Sequence, residues 1–179
     1  MRRMAMTLVM FMCLASIAFG DHLPATLQAS GVPEGQLGPV RLEYTSKNDL
    51  VKIYGPPLED KTFPDDHDKS RGERSYIWKV DGQKFGVGTW FRPQGESAID
   101  SAQVWKGQGE NALMTGRGLK VGNSLSDVRR IYGKRFKLGR RIDTKRLYIF
   151  LQWRNGTELH VDFGPDDRVD HMLLIAPLE

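Results

Sequence analysis

Apolar residues recur at helical spacing in two short stretches of the chain. The two groups are Leu50, Ile53 and Tyr54 in the first stretch and Val128, Ile131 and Tyr132 in the second. Residues at this spacing share one face of a helix. Each stretch therefore predicts an amphipathic helix of about two to three turns.

Serine and glycine residues set the predicted ends of both helices. Ser46 and Ser124 each stand three residues before an aspartate. This arrangement is a near relative of the capping box, in which the serine oxygen accepts a free amide hydrogen of the first turn. Gly55 and Gly133 follow the last helical tyrosines and fit a left-handed C-terminal cap.

After each helix the hydrophobic pattern changes to a period of two, which predicts β-strands. The predicted strands are 75–80, 84–91 and 99–105 after the first helix, and 147–153, 157–163 and 169–175 after the second. Asp81-Gly82 is a type I′ hairpin signal, and Asn155-Gly156 marks the corresponding turn of the second group. Each helix is therefore expected to lead into a three-stranded antiparallel meander.

The two stretches also align with each other. DLVKIYG at 49–55 matches DVRRIYG at 127–133, and Phe91-Arg-Pro93 matches Phe163-Gly-Pro165. The pattern predicts an α+β fold of two tandem helix-plus-antiparallel β-meander repeats, residues 38–105 and 119–179. Residues 106–118 would then be the linker. Residues 21–37, which contain Gly, Pro and Gln without periodicity, would be a flexible lead-in.

Residues 1–20 have the pattern of a secretory signal peptide. Two arginines precede an apolar run, and small residues precede a cleavage position after Gly20. A retained N-terminal anchor is the alternative, but the run is short for a membrane span. Cys13, the single cysteine, lies in this run without a lipobox. We therefore expect a periplasmic or secreted protein of the cell envelope that has no lipid anchor, disulfide or thiolate site.

The charge distribution argues against nucleic-acid binding and singles out one basic segment. The chain has 26 Lys and Arg against 22 Asp and Glu, which indicates a mixed surface. The basic cluster comprises Lys134, Arg135, Lys137, Arg140, Arg141, Lys145 and Arg146. It is either a solvated loop after a helix or a patch for anions or lipid headgroups, which would allow contact with an anionic membrane surface.

The motif S-x-x-D-[LV]-x-x-I-Y-G, the Gly55-Pro-Pro57 stop and the β-meander resemble the small SmpA/OmlA (BamE-like) envelope domain. Two such units in tandem resemble the β-lactamase inhibitor protein (BLIP-like) fold, and the resemblance covers about 130 residues. It implies a non-enzymatic protein, without cofactors, that binds a protein partner in an envelope assembly or inhibitor-like role. The sequence departs from these families in lacking the lipid-anchored cysteine of the first and the disulfides of the second.

Strand alternation assigns the strand residues to two faces. The face expected against the helices carries Ile77, Val87, Thr89, Phe91, Ile149, Leu151, Leu159, Val161 and Phe163. The opposite face carries Tyr76, Trp78, Trp90, Tyr148 and Phe150, with Gly86, Gly88, Gln152, His160 and Asp162. We predict that the five aromatic residues bind the partner, since aromatic side chains anchor protein interfaces. The alternative is that this face is buried, because aromatic residues are also good sheet formers.

His160 and Asp162 are candidates for metal binding or acid–base chemistry. Depending on the register of the last two strands, Asp170 joins them or His171 lies opposite His160. A small metal-dependent or acid–base enzyme is therefore the alternative function. These residues remain candidates only, and we predict no metal site, because exposed sheet faces commonly carry such side chains.

Overall fold

The computed structural model describes residues 28–29, 31–92, 95–107 and 113–177. The predicted signal peptide, residues 1–20, lies outside these ranges. Among the described residues, no helix has the length and apolar composition that crossing a membrane requires.

Within the described ranges the chain forms two helices and ten strands. The helices are α1 (Lys47–Tyr54) and α2 (Leu125–Tyr132). The strands are β1 (Gln36–Leu37), β2 (Val40–Arg41), β3 (Glu59–Pro64), β4 (Gly72–Val80), β5 (Gln83–Arg92), β6 (Gly95–Trp105), β7 (Lys137–Arg140), β8 (Leu147–Gln152), β9 (Glu158–Phe163) and β10 (Val169–Ile175).

Both helices begin at the predicted serines. Ser46 Oγ accepts the Asp49 amide at 3.3 Å, and the Asp49 carboxylate accepts the Ser46 amide at 3.1 Å. Ser124 and Asp127 repeat the same capping box at the start of α2. The predicted C-terminal caps are only partly right. Gly55 has the expected positive φ of 75°, but its ψ of −168° lies outside the left-handed helical region.

Eight strands form a single antiparallel sheet in the order β3-β4-β5-β6-β10-β9-β8-β7. The short strands β1 and β2 pair with each other in a separate two-stranded sheet. β6 and β10 are neighbours in the middle of the large sheet and pair from Ser101 opposite Ile175 to Trp105 opposite His171. β3 and β7 are its two edges.

The predicted α+β fold of two tandem repeats is therefore wrong, because the described chain is mostly β and organised around one continuous sheet. The β6–β10 pairing joins strands that we had assigned to separate units. Each helix is only eight residues long. β3 (EDKTFP) and β7 (KLGR) were not predicted, because they have too few apolar residues to show alternation. Main-chain hydrogen bonds to β4 and β8 extend the sheet with these two strands.

The described parts of the predicted lead-in and linker belong to the core. Leu37 is fully buried, and so is Thr115 on the other segment. The buried Glu34 carboxylate accepts the Tyr132 hydroxyl at 2.7 Å and the Gly116 amide at 3.2 Å. A buried carboxylate requires such partners, so Glu34 fixes the two segments and α2 to one another. Residues 34–37 are therefore held against the core together with residues 113–118, in contrast to the flexible lead-in that the sequence predicts.

Candidate partner-binding site

The large sheet has one face against the helices and one face that no described helix covers. α1 and α2 share a hydrophobic core with alternate residues of the strands, among them Phe85, Val104 and Val161. Ile77 and Leu173 are also buried, but they are not part of that core and point to the other side. We call this second side the open face. Directly opposite residues of paired strands point the same way, so the strand pairing assigns residues to this face. The open face is defined by Ile77, Lys84, Gly86, Trp90, Gln103, Trp105, Tyr148, Phe150, His160, Asp162, His171 and Leu173.

Tyr76 and Trp78 do not lie on the open face, and their assignment to partner binding is wrong. They pair with Val87 and Phe85, whose side chains point to the helices. Tyr76 is fully buried, and only 2% of the Trp78 surface is exposed. The Trp78 indole N–H donates to the Gly55 carbonyl at the end of α1 at 2.9 Å. This bond satisfies the polar atom of a buried tryptophan and fixes the ring in the core.

Trp90, Tyr148 and Phe150 do lie on the open face, but not together. Trp90 is 44% exposed, whereas Tyr148 and Phe150 are half-buried. β5 and β8 are four strands apart in the sheet order. At about 4.8 Å per strand, this places Trp90 ~19 Å across the sheet from the other two. The predicted residues therefore do not form one compact cluster.

Trp105 is the aromatic residue that the sequence interpretation missed. It lies on β6 in the middle of the sheet, and its ring stacks on the His171 imidazole with a centroid distance of 5.2 Å. The Trp105 ring also lies across Gly86, where an added Cβ would come within 3.2 Å of it. Gly86 therefore leaves space on the open face for the Trp105 ring. Its position opposite His171 could not be foreseen, because it depends on the long-range β6–β10 register.

Asp162, His171, Trp105 and Lys84 lie side by side across β9, β10, β6 and β5. Arg141 binds Asp162 through two hydrogen bonds of 2.8 and 2.9 Å, and His171 Nδ1 lies 3.2 Å from Asp162 Oδ2. Burial by itself raises the pKa of Asp162, but the hydrogen bonds from His171 and Arg141 outweigh it and lower the pKa to about 2. Asp162 is therefore a fixed negative charge across the physiological range.

The metal candidates are occupied by other partners. His160 Nε2 lies 3.0 Å from Glu158 Oε2, and the His160 ring contacts Phe150 at 4.7 Å. Asp170 forms an ion pair with Arg146 at 3.3 Å. Neither register that we considered is the observed one, because His171 lies opposite Asp162, and His160 lies opposite Leu173. In the described ranges, no three His, Cys, Asp or Glu side chains form a group that could hold a metal ion.

A second feature of the sheet that sequence reasoning missed is a pair of carboxylates near Gly88. An added Cβ at Gly88 would lie 3.2 Å from Glu73 Oε1 and 3.5 Å from Asp100 Oδ1, so both side chains approach the same point. Burial and the negative charge of Glu73 raise the pKa of Asp100 to about 7. Asp100 Oδ2 is buried without a hydrogen-bond partner in the part of the chain that the structure describes.

Comparisons with known proteins leave the function open. No protein-family profile matches the sequence, and no curated protein matches it. One similar solved structure is a DUF4309 family protein (YjgB) from Bacillus subtilis subsp. subtilis str. 168, with 19% identity, a TM-score of 0.46 and coverage of 76% of this chain and 81% of that chain.

A second similar structure is an extracellular protein containing a SCP domain from Bacillus anthracis str. Ames, with 12% identity and a TM-score of 0.47. The match covers 73% of this chain and 43% of that chain, so this chain spans less than half the length of that protein. These low scores assign no function or partner, and neither structure bears on the predicted resemblance to the SmpA/OmlA domain.

Proposed function

We propose that this chain is an exported cell-envelope protein that binds a protein partner through the open face of its sheet, in an assembly or inhibitor-like role. One observation carries the proposal. No described helix covers the open face. Four partly exposed aromatic rings lie on this face beside paired charges, and they belong to Trp90, Trp105, Tyr148 and Phe150. Aromatic side chains surrounded by polar groups are typical of protein interfaces.

The geometry of the aromatic rings supports this proposal, because neighbouring residues already fix them. Trp105 is held between Gly86 and His171, and the Tyr148 ring lies across Gly139 on the edge strand β7. The Arg141 guanidinium also lies 5.7 Å from the centre of the Tyr148 ring. Side chains that are ordered before binding lose less conformational entropy when a partner docks.

The charges on the open face are better suited to recognising a specific protein partner than to catalysis. Asp162 forms an ion pair with Arg141 and lies within hydrogen-bond distance of His171, and both ring nitrogens of His171 lie within 3.4 Å of an oxygen atom of Asp162 or Gln103. A partner that covers this face would bury charges that are already paired, which costs less than burying single charges. The location outside the cytoplasm is proposed from the signal-peptide pattern of residues 1–20.

Site-specific photocrosslinking tests the proposal directly. A benzophenone amino acid is placed at Phe150 on the open face, and at Ile53 on α1 as a matched control that is 57% exposed. We expect envelope extract to give a discrete crosslinked protein from position 150 and not from position 53. Unlabelled wild-type protein should compete for this product, whereas folded Trp105→Ala protein should not.

The outcomes separate a binding face from a nonspecific apolar surface. Identical products from positions 150 and 53 would contradict the proposal, and so would competition by Trp105→Ala that equals competition by wild type. Thermal unfolding of the Trp105→Ala protein checks that any loss of competition comes from the removed ring and not from loss of the fold.

A further inference from the structure

The segment 134–146 accounts for all of the excess positive charge of the protein. It holds seven Lys and Arg and one Asp, whereas the rest of the chain has 19 Lys and Arg against 21 Asp and Glu. Without this segment, the molecule would be slightly acidic. Such a local concentration of positive charge indicates a negatively charged partner.

The structure places this segment at one edge of the sheet, where β7 and β8 form a hairpin. Arg141 and Arg146 are bound to Asp162 and Asp170 and attach the loop end of the hairpin to the rest of the sheet. The other five cations are exposed and form no ion pair with any described residue: Lys134, Arg135, Lys137, Arg140 and Lys145. The hairpin therefore presents charge that the fold itself leaves uncompensated.

An apolar side chain lies at the apex of this basic hairpin. Ile142 is 89% exposed, and Leu138 on β7 is 44% exposed. Main-chain hydrogen bonds of 2.9 Å between Arg141 and Arg146 and between Lys145 and Arg141 close the loop. Arg140 also donates to the Lys145 carbonyl at 3.0 Å. The turn is thus internally ordered and presents Ile142 to solvent, with Arg141 before it and Asp143 after it in the chain.

We propose that the β7–β8 hairpin docks on an anionic lipid membrane, with its lysines and arginines at the headgroups and Ile142 inserted among the acyl chains. The uncompensated cations complement the negative surface of such a membrane. An exposed aliphatic residue adds apolar burial to that attraction, which is the combination that membrane-surface elements use. The hairpin adjoins the open face, because Tyr148 and Phe150 lie on β8, but its test uses lipid vesicles and does not depend on the protein partner.

Vesicle co-sedimentation tests the proposal, with phosphatidylcholine vesicles that contain or lack phosphatidylglycerol. The full chain is expressed with its own N-terminal segment, so that wild type and variants are processed alike. We expect wild type to bind the vesicles that contain phosphatidylglycerol at low salt and to dissociate as salt rises. The double variant Lys137→Gln/Lys145→Gln should bind about 25-fold more weakly, or about fivefold per charge removed. Ile142→Ser should weaken the binding that remains at moderate salt.

The matched control is Lys69→Gln/Lys120→Gln, which removes two exposed lysines outside the segment. We expect this control to bind the vesicles like wild type. The proposal is overturned if wild type does not bind at low salt or if the control loses as much affinity as the hairpin variant. Unchanged binding by Ile142→Ser would refute insertion of the apex. Thermal unfolding confirms that each variant is folded.

Discussion

Replacing Asp100 with asparagine tests how much a buried, poorly paired carboxylate costs this fold. The pKa of Asp100 rises from 3.8 to about 7, first because of burial and second because of the negative charge of Glu73. Burial raises the pKa of Glu73 as well. The folded protein therefore holds a proton on Asp100 at pH values where the unfolded chain has released it.

The sign and size of the effect follow from this difference in proton binding. Between pH 4 and about 7 the folded state binds more protons than the unfolded state, so the free energy of unfolding falls as pH rises through this window. One pKa unit corresponds to about 1.4 kcal/mol, so the shift of Asp100 sets an upper bound of about 4 kcal/mol. Partial solvent exposure reduces this bound, and we expect a loss of about 2–4 kcal/mol between pH 4 and pH 8.

Urea unfolding of wild type and Asp100→Asn from pH 4 to pH 8 measures the effect. The variant should gain stability relative to wild type as pH rises, by about 2–4 kcal/mol across the range. Asp143→Asn, at an exposed turn, is the control for removing a carboxylate without a buried site. If the difference between wild type and Asp100→Asn is the same at pH 4 and pH 8, the argument from burial is refuted.

Three further predictions concern stability. Trp78→Ala should lower the free energy of unfolding in urea by about 3–5 kcal/mol, because it leaves a cavity in the core. Trp90→Ala on the open face should lower it by less than about 1 kcal/mol. Equal losses for the two variants would contradict the assignment of these residues to opposite faces. Ser124→Ala should cost about 1 kcal/mol through loss of the α2 cap, and Ser124→Asp should restore most of it. The lowered pKa of Asp162 should contribute about 2 kcal/mol to the free energy of unfolding. This contribution is present above pH 4 and is lost as pH falls to about 2. If the difference in stability between wild type and Asp162→Asn does not change over this acid range, the prediction is wrong.

Much of the local structure was predictable because it depends on residues that are close in the chain. The two capping boxes form where serine and aspartate are three residues apart. The Asp81-Gly82 hairpin has positive φ at both residues, 47° and 81°, as a type I′ turn requires. β10 has the predicted bounds, and the other five predicted strands differ from the observed ones by one to four residues at their ends.

The site was only partly predictable, because alternation loses its meaning where both faces of a strand are apolar. Tyr76, Ile77 and Trp78 are consecutive and all buried, so parity alone could not decide which side of β4 points to the helices. β8 and β9 alternate more clearly, and Tyr148, Phe150 and Asp162 were placed on the correct face. The ion pairs of Asp162 and Asp170 also escaped prediction, because Arg141 and Arg146 come from a hairpin whose first strand has no apolar pattern.

The two capped helices, the turns and six of the strands could be predicted from local sequence, because hydrogen bonds and hydrophobic periods within a few residues specify such elements. The single eight-stranded sheet, the stacking of Trp105 on His171 and the contacts of Glu34 that hold the lead-in in the core arise only when distant segments pack together. These features depend on register between strands about 70 residues apart and on how a buried carboxylate finds its donors. No local pattern specifies the strand register or the donors of the buried carboxylate, because both depend on how segments far apart in the chain pack against one another.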